Sequence, residues 1–270
     1  MISFPNAKIN LGLDVTDKRS DGYHNISSCF YPISLSDILE INESDRFDFQ
    51  LSGLPVTGEI KNNLVVKAYH LLRKDFGLPE VSIHLHKNIP LEAGLGGGSA
   101  DGAFALKMLN ELFDLFLDDS VLADYAAILG SDCPFFIYNE PMYVRGRGEV
   151  LESMQLDLSG HYLCIIKPAQ SMSTKEAYQL VQPALPAYDL PALLTTKPVV
   201  SWKDHLTNDF EKTAFVKYPE FANIKGLLYD MGALFASMTG SGSAIYGLFK
   251  EMPILDKETV EGYYTWVGDL

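Results

Sequence analysis

Four glycines within five positions mark the stretch of this chain best suited to chemistry: Ile89-Pro90-Leu91-Glu92-Ala93-Gly94-Leu95-Gly96-Gly97-Gly98-Ser99-Ala100-Asp101. Directly afterwards Ala103, Leu106, Leu109 and Phe113 recur at helical spacing, with Ser99 suited to the N-cap and Asp101 to the first turn. A loop without side chains that leads into a helix N-terminus presents outward N–H groups and the positive end of the helix dipole. Together these receive an anion, and phosphate is the guest they predict. At Gly97 a side chain would stand between backbone and phosphate. No Gly-Lys-Ser/Thr follows, so this is not a Walker loop, and the spacing of a dinucleotide fingerprint is also missing. From the residues alone, a plain connector before an amphipathic helix is the competing reading.

Three other segments hold groups able to move or stabilise charge. Residues 7–15 alternate, with Ile9, Leu11, Leu13 and Val15 on one face and Lys8, Asn10, Gly12 and Asp14 on the other. A strand here projects Lys8 and Asn10 from the same side. Gly130-Ser131-Asp132-Cys133-Pro134 sets an aspartate on a turn, and Met238-Thr239-Gly240-Ser241-Gly242-Ser243-Ala244 is a second glycine-rich connection. Each has an ordinary alternative: a solvated lysine, a turn-forming aspartate beside proline, and a hairpin with glycines at positive φ.

The order of these segments carries a resemblance. Pro90 to Ala100, in the form Pro-x-x-x-Gly-Leu-Gly-Gly-Gly-Ser-Ala, resembles the phosphate loop of the galactokinase, homoserine kinase, mevalonate kinase and phosphomevalonate kinase (GHMP) superfamily, and Met238–Ala244 resembles its C-terminal glycine motif. Asn6-Ala7-Lys8-Ile9-Asn10-Leu11-Gly12-Leu13 and the Gly-x-Asp-x-Pro-Phe turn at Gly130–Phe135 are similar to segments of one family within it, the 4-diphosphocytidyl-2-C-methyl-D-erythritol kinases. So are Asp21-Gly22-Tyr23-His24 and Asn208-Asp209-Phe210-Glu211, and the motifs together span nearly the whole chain.

The resemblance implies an α+β, two-domain GHMP-kinase fold. Its N-terminal half, expected over residues 1–157, is ribosomal-protein-S5-domain-2-like, and its C-terminal half, over 158–270, is ferredoxin-like. It implies transfer of the γ-phosphoryl of ATP to the 2-hydroxyl of 4-diphosphocytidyl-2-C-methyl-D-erythritol, an intermediate of the non-mevalonate route to isoprenoid precursors. By resemblance, Asp132 accepts the hydroxyl proton, Lys8 holds Asp132 ionised and stabilises the transferring group, and Asn10 and Asp132 orient the alcohol. Tyr23 would stack on the cytosine and His24 bond its edge, with Tyr178, placed by spacing after Ser171–Thr174, as the second aromatic wall. ATP would lie on Pro90, Gly94, Leu95, Gly96, Gly97, Gly98, Ser99, Ala100, Thr239, Gly240, Ser241 and Gly242. Mg²⁺ would neutralise its phosphates, with Ser99 a candidate ligand.

Two positions depart from the family pattern. Ser131 stands where alanine is common, and Lys175 stands where proline is common, which bears on the second wall of the base pocket. A homoserine or mevalonate kinase would keep the phosphate loop without needing Asp21–His24. A non-catalytic nucleotide-binding regulator would be free to lose Lys8 or Asp132, and both are present.

The elements that must hold these groups follow from periodicity. Strands are expected over 7–15, 26–33, 37–42, 81–86, 135–138, 162–166 and as a pair around 143–150. Helices are expected over 63–76 (capped by Asn62 or Asn63), 100–113, 119–129, 173–182, 206–216 and 219–231. Leu234–Phe249 reads as strand–loop–strand with Thr239–Gly242 at the tip, and Pro183–Pro198 as a surface loop. The mixed order favours α+β over a regular parallel series.

Bulk properties narrow the partners. With 270 residues, 47% hydrophobic and 21% charged, the chain can bury one large core or two modest ones. A net charge of -14 disfavours a nucleic-acid partner and requires a local positive pocket for any polyanion. Cys29, Cys133 and Cys164 form no metal or disulfide pattern, which fits reduced thiols in a cytoplasm. No export signal, membrane segment or obligate protein partner is expected; the partner is a small molecule bearing a cytidine diphosphate group.

Overall fold

The computed structural model describes all residues, Met1–Leu270. In chain order the strands are β1 (Ile2–Ser3), β2 (Asn6–Lys18), β3 (His24–Ser36), β4 (Ile38–Glu43), β5 (Asp48–Gly53), β6 (Val81–Lys87), β7 (Met142–Gly146), β8 (Val150–Ser153), β9 (Tyr162–Lys167), β10 (Phe235–Met238), β11 (Ile245–Phe249) and β12 (Tyr264–Asp269). The helices are α1 (Leu64–Phe76), α2 (Gly97–Leu112), α3 (Asp119–Leu129), α4 (Cys133–Tyr138), α5 (Thr174–Leu180), α6 (Leu190–Thr196), α7 (Glu211–Lys217) and α8 (Pro219–Asp230).

The chain forms two compact units, each discontinuous in sequence. The first takes Met1–Ala7, Leu35–Leu91 and Gly96–Glu140. Its sheet runs β1-β4-β6-β5, with β5 and β6 parallel and the other neighbours antiparallel. Val81, Ile83, Leu85 and Lys87 all point inward from β6, so the alternation that buries three aliphatic side chains also buries a lysine. Asn63 caps α1 by accepting from the Val65 N–H at 2.9 Å, a bond worth about 1 kcal/mol, and Gly77 ends that helix in the left-handed region.

The second unit takes Lys8–Ser34, Glu92–Leu95 and Pro141–Leu270 and holds two sheets, β2-β3-β7-β8 and β10-β11-β9-β12. All three pairings in the latter are antiparallel. Its strand order is the ferredoxin-like one, although turns rather than a helix connect β11 to β12. β2 is buried on both faces over most of its length, so Lys8, Asn10 and Asp14 lie inside rather than on a solvated side.

The α+β class and most elements follow the sequence pattern, and the differences have local causes. Residues 135–138 belong to α4 rather than a strand: a four-residue apolar run carries no period of its own, and Pro134 at the first turn favours helix. The segment 183–198 is not all loop, because Leu190, Leu193 and Leu194 bury one face of α6 while Asp189 caps it through the Ala192 N–H at 3.0 Å. α7 starts at Glu211 instead of 206, since Asn208 and Asp209 spend their side chains elsewhere. Helix α2 begins at Gly97, capped by Gly96 at φ 73°, which moves Ser99 from cap to first turn. The strands β5 and β12 carry no clear signal in the sequence.

Candidate active site

In the second unit, β2 delivers Lys8 and Asn10 to the glycine loop. The Lys8 N–H donates to the Leu95 carbonyl at 2.9 Å, which ties the strand to the loop. The buried Lys8 ammonium donates to Asn10 Oδ1 at 2.5 Å and sits 4.3 Å from the Phe30 ring centroid. Asn10 Nδ2 donates to Ser28 Oγ at 2.9 Å, and Ser28 Oγ donates onward to the Gly12 carbonyl at 2.6 Å. Both side chains are therefore oriented by groups at their far ends, as a positioning site requires.

Thr239 joins this strand to the two glycine segments. Its Oγ1 accepts from the Asn10 N–H at 3.1 Å and has one proton to share between the Gly94 carbonyl (3.1 Å) and Asn10 Oδ1 (3.2 Å). Gly94 is required at this approach: it has φ 74°, and a Cβ there would come within 1.9 Å of the Thr239 carbonyl oxygen. Ser243 and Ala244 N–H groups bond the Glu92 and Ala93 carbonyls, each at 3.2 Å, so Glu92–Leu95 is held along its whole length.

Aromatic groups lie on the same unit. His24 and Tyr178 stack with centroids 5.1 Å apart and planes 20° apart, and Phe210 meets Tyr178 edge-on at 4.9 Å. Tyr23 is 57% exposed, and the Arg147 guanidinium covers it at 5.0 Å from its centroid. The Asp21 carboxylate accepts the Tyr23 N–H at 3.0 Å, closing the turn that presents this pair. Burial, followed by the nearby Lys18 charge, lowers the His24 pKa below the usual imidazole value, so its ring is neutral at pH 7 and offers one donor and one acceptor.

The first unit carries the helical end of the loop. Gly98 is exposed in the first turn of α2, and a Cβ there would meet nothing within 4 Å. At Gly97 the obstacle to a side chain is internal, since a Cβ would lie 2.7 Å from Ile89 Cγ2, so substitution there disturbs packing before it reaches any ligand. Gly98→Ala is the cleaner test. It should leave stability unchanged or raise it by about 0.5–1 kcal/mol, while weakening a non-hydrolysable ATP analogue by roughly tenfold. Calorimetric titration measures the second effect; unchanged affinity in the folded variant would reduce the loop to a connector.

Asp132 stands at the start of α4, half-buried, and its carboxylate does not cap that helix. The next residue, Cys133, is buried, and its thiol pairs with the Ser99 hydroxyl from the first turn of α2. This contact brings the Asp132 turn to the glycine-loop helix within one unit. Burial pushes the Cys133 thiol up to about 12, which leaves it an inert packing group.

Beneath the same helix lies a buried ion cluster that sequence reading missed. Lys87 Nζ donates to Asp101 Oδ2 at 2.6 Å and closely to Asp37 Oδ2, and all three side chains are buried. Asp37 Oδ1 also accepts the N–H groups of Asn88 (2.6 Å) and Ile89 (2.8 Å), which fixes the start of the glycine loop. Burial, opposed by Lys87 and reinforced by Asp37, pushes Asp101 up to about 8. Burial alone would lower Lys87, yet Asp101 and Asp37 hold it above the usual lysine range.

The family described as GHMP kinases N terminal domain matches residues 63–140, and GHMP kinases C terminal matches residues 192–257. A 4-diphosphocytidyl-2-C-methyl-D-erythritol kinase of Bacteroides fragilis (strain YCH46) is 49% identical, covering 100% of both chains. One from Cytophaga hutchinsonii is 45% identical, again over 100% of both. Among solved structures, a 4-(cytidine 5'-diphospho)-2C-methyl-D-erythritol kinase superposes with TM-score 0.80 at 29% identity, covering 99% of this chain and 98% of the other. A homoserine kinase from Cytophaga hutchinsonii superposes with TM-score 0.67 at 18% identity, covering 98% and 94%; it shares the fold.

Proposed function

This chain belongs to the GHMP kinases and, within them, to the 4-diphosphocytidyl-2-C-methyl-D-erythritol kinases, and from that premise we propose how its residues divide the work of phosphoryl transfer. It is an ATP-dependent kinase that phosphorylates the 2-hydroxyl of 4-diphosphocytidyl-2-C-methyl-D-erythritol, giving the 2-phosphate and ADP in the non-mevalonate route to isopentenyl diphosphate. One observation carries the choice of acceptor. The chain is 45–49% identical, over its full length, to kinases named for the cytidyl compound.

Asp132 accepts the proton of the attacking hydroxyl, and its place on the turn that Cys133 ties to Ser99 of the glycine-loop helix supports that role. Lys8 stabilises charge on the transferring phosphoryl group, and Asn10 orients the alcohol; the bond between their side chains supports their acting together. Pro90, Gly94 to Ala100 and Thr239 to Gly242 receive the phosphates of ATP through backbone N–H groups. Little covalent work falls to the protein, so positioning and charge stabilisation supply the rate.

Mg²⁺ supplies neutralisation of the phosphate charge when bound. No three His, Cys, Asp or Glu side chains converge on one point, so the donor set does not fit an all-protein cage. The Ser99 hydroxyl, in the first turn of α2, is the protein group that would hold a cation bound chiefly by substrate phosphates and water.

The cytosine lies against Tyr23, on the ring face opposite Arg147, with the neutral His24 edge reading its polar atoms and Tyr178 backing His24. Tyr23→Ala should raise the KM for the acceptor by roughly tenfold, the worth of one stacked base, with the KM for ATP within about twofold. Steady-state kinetics in both substrates check this. Equal rises in both constants would place Tyr23 outside the acceptor site.

We also place the domain boundary at 157/158, with the two family matches falling on either side of it. We assign the enzyme to the cytoplasm, a reading supported by three buried thiols with no disulfide between them. No helix is long and apolar enough to cross a membrane.

A further inference from the structure

Asn208, Asp209, Phe210 and Glu211 are consecutive, all are buried, and each commits its side chain to a different part of the second unit. Asn208 Nδ2 donates to the Met238 and Gly240 carbonyls, both at 2.8 Å, while its Oδ1 accepts the Phe210 N–H at 3.0 Å. Every amide proton of Asn208 is thereby used on the two carbonyls that flank Thr239. In a trans peptide C=O and N–H point in opposite directions, so holding the Gly240 carbonyl toward Asn208 turns the Ser241 N–H away from it. An anion-receiving turn needs its N–H groups aimed outward in this manner.

The neighbours complete the arrangement. Glu211 Oε1 accepts the Met238 N–H at 2.7 Å and the Ser237 hydroxyl at 3.1 Å, with its other oxygen on Lys225 at 2.7 Å. Asp209 Oδ2 accepts the Val15 N–H at 2.8 Å, and the Asp209 N–H donates to the Leu13 carbonyl at 2.9 Å, which fixes the strand that carries Lys8 and Asn10. Phe210 meets the Tyr178 ring edge-on at 4.9 Å, and Tyr178 in turn stacks on His24.

We propose that this tetrapeptide is a positioning clamp shared by the two substrates, with Asn208 setting the glycine turn for ATP and Phe210 setting the aromatic wall for the acceptor base. The clamp rests on the assignment of Thr239–Gly242 to ATP and of Tyr178 to the cytosine. Neither residue touches a reacting atom; each acts through the groups it holds.

Paired substitutions separate the two arms. Asn208→Asp is isosteric and keeps the Phe210 N–H bond, but sets a carboxylate oxygen against two carbonyl oxygens. It should raise the KM for ATP by about tenfold with the acceptor KM within about twofold. Phe210→Leu should give the opposite split. Asn208→Ser, which keeps one donor, replaces Asn208→Asp if the latter fails to fold, and should show a smaller rise in the same constant. Gly240→Ala perturbs the turn directly and serves as the control. If it raises the KM for ATP while the Asn208 and Phe210 variants move both constants together or neither, the clamp is overturned and the turn assignment stands. If Gly240→Ala leaves the KM for ATP unchanged, the turn assignment falls and the clamp with it.

Discussion

Asp132→Asn should lower kcat by roughly 10²–10⁴ while the protein remains folded. The loss follows from removing the group that accepts the acceptor's hydroxyl proton, since an amide of the same shape cannot take it. The fold should survive because Asp132 is half-buried and its carboxylate does not cap α4. Lys8→Ala should cost a similar factor, by removing the charge that steadies the transferring phosphoryl. In that variant Asn10 stays anchored by Ser28 and Thr239, so ground-state binding of the acceptor changes less than turnover. Single-turnover rates with circular dichroism on the same samples provide the check. A folded Asp132→Asn protein with near-normal turnover would remove Asp132 from the chemistry.

The largest stability effect is expected at Lys87. Lys87→Met leaves the buried Asp37 carboxylate without its counter-charge, with the Asp101 carboxyl buried beside it. Breaking a buried ion cluster by removing one partner costs about 3–5 kcal/mol. That should lower Tm by about 10 °C for a chain of this size. Asp101 adds a pH signature. Burial pushes its carboxyl up to about 8, well above the usual carboxylate range, so the folded state keeps a proton that the unfolded chain releases. The stability so gained is fully present below about pH 4 and is lost as pH rises toward about 8. Asp101→Asn removes that dependence, and its stability relative to the unsubstituted chain should improve from pH 5 to pH 8. Denaturant midpoints at several pH values measure the trend; parallel curves for the two proteins would contradict it.

The chemistry was more legible in the sequence than the framework that holds it. Glycine-rich loops, a turn aspartate and a Lys-x-Asn alternation are local patterns, and each points to its role within a few residues. The contacts that orient them are not local: Thr239 meets Asn10 across 229 positions, and Asp37 meets Lys87 across 50. Lys87 did leave one trace, because Val81, Ile83 and Leu85 set an inward register that Lys87 continues. The leucines of α6 left another, at helical spacing beneath a proline-rich composition. For Phe135–Tyr138 the sequence held no period to read, and neighbouring α2 and α3, with Pro134, settled the helix. The Asn208–Glu211 segment was recognisable as a motif, but its work became visible only once its side-chain partners were known.

The most direct test of the central claim is phosphate transfer by the purified chain, with ATP and Mg²⁺, across a panel of 4-diphosphocytidyl-2-C-methyl-D-erythritol, mevalonate, homoserine and galactose. Phosphorus NMR should show the 2-phosphate of the cytidyl compound and ADP forming in equal amounts, with the other three acceptors unchanged. Efficient phosphorylation of mevalonate or homoserine with none of the cytidyl compound would contradict the account while leaving the superfamily membership in place.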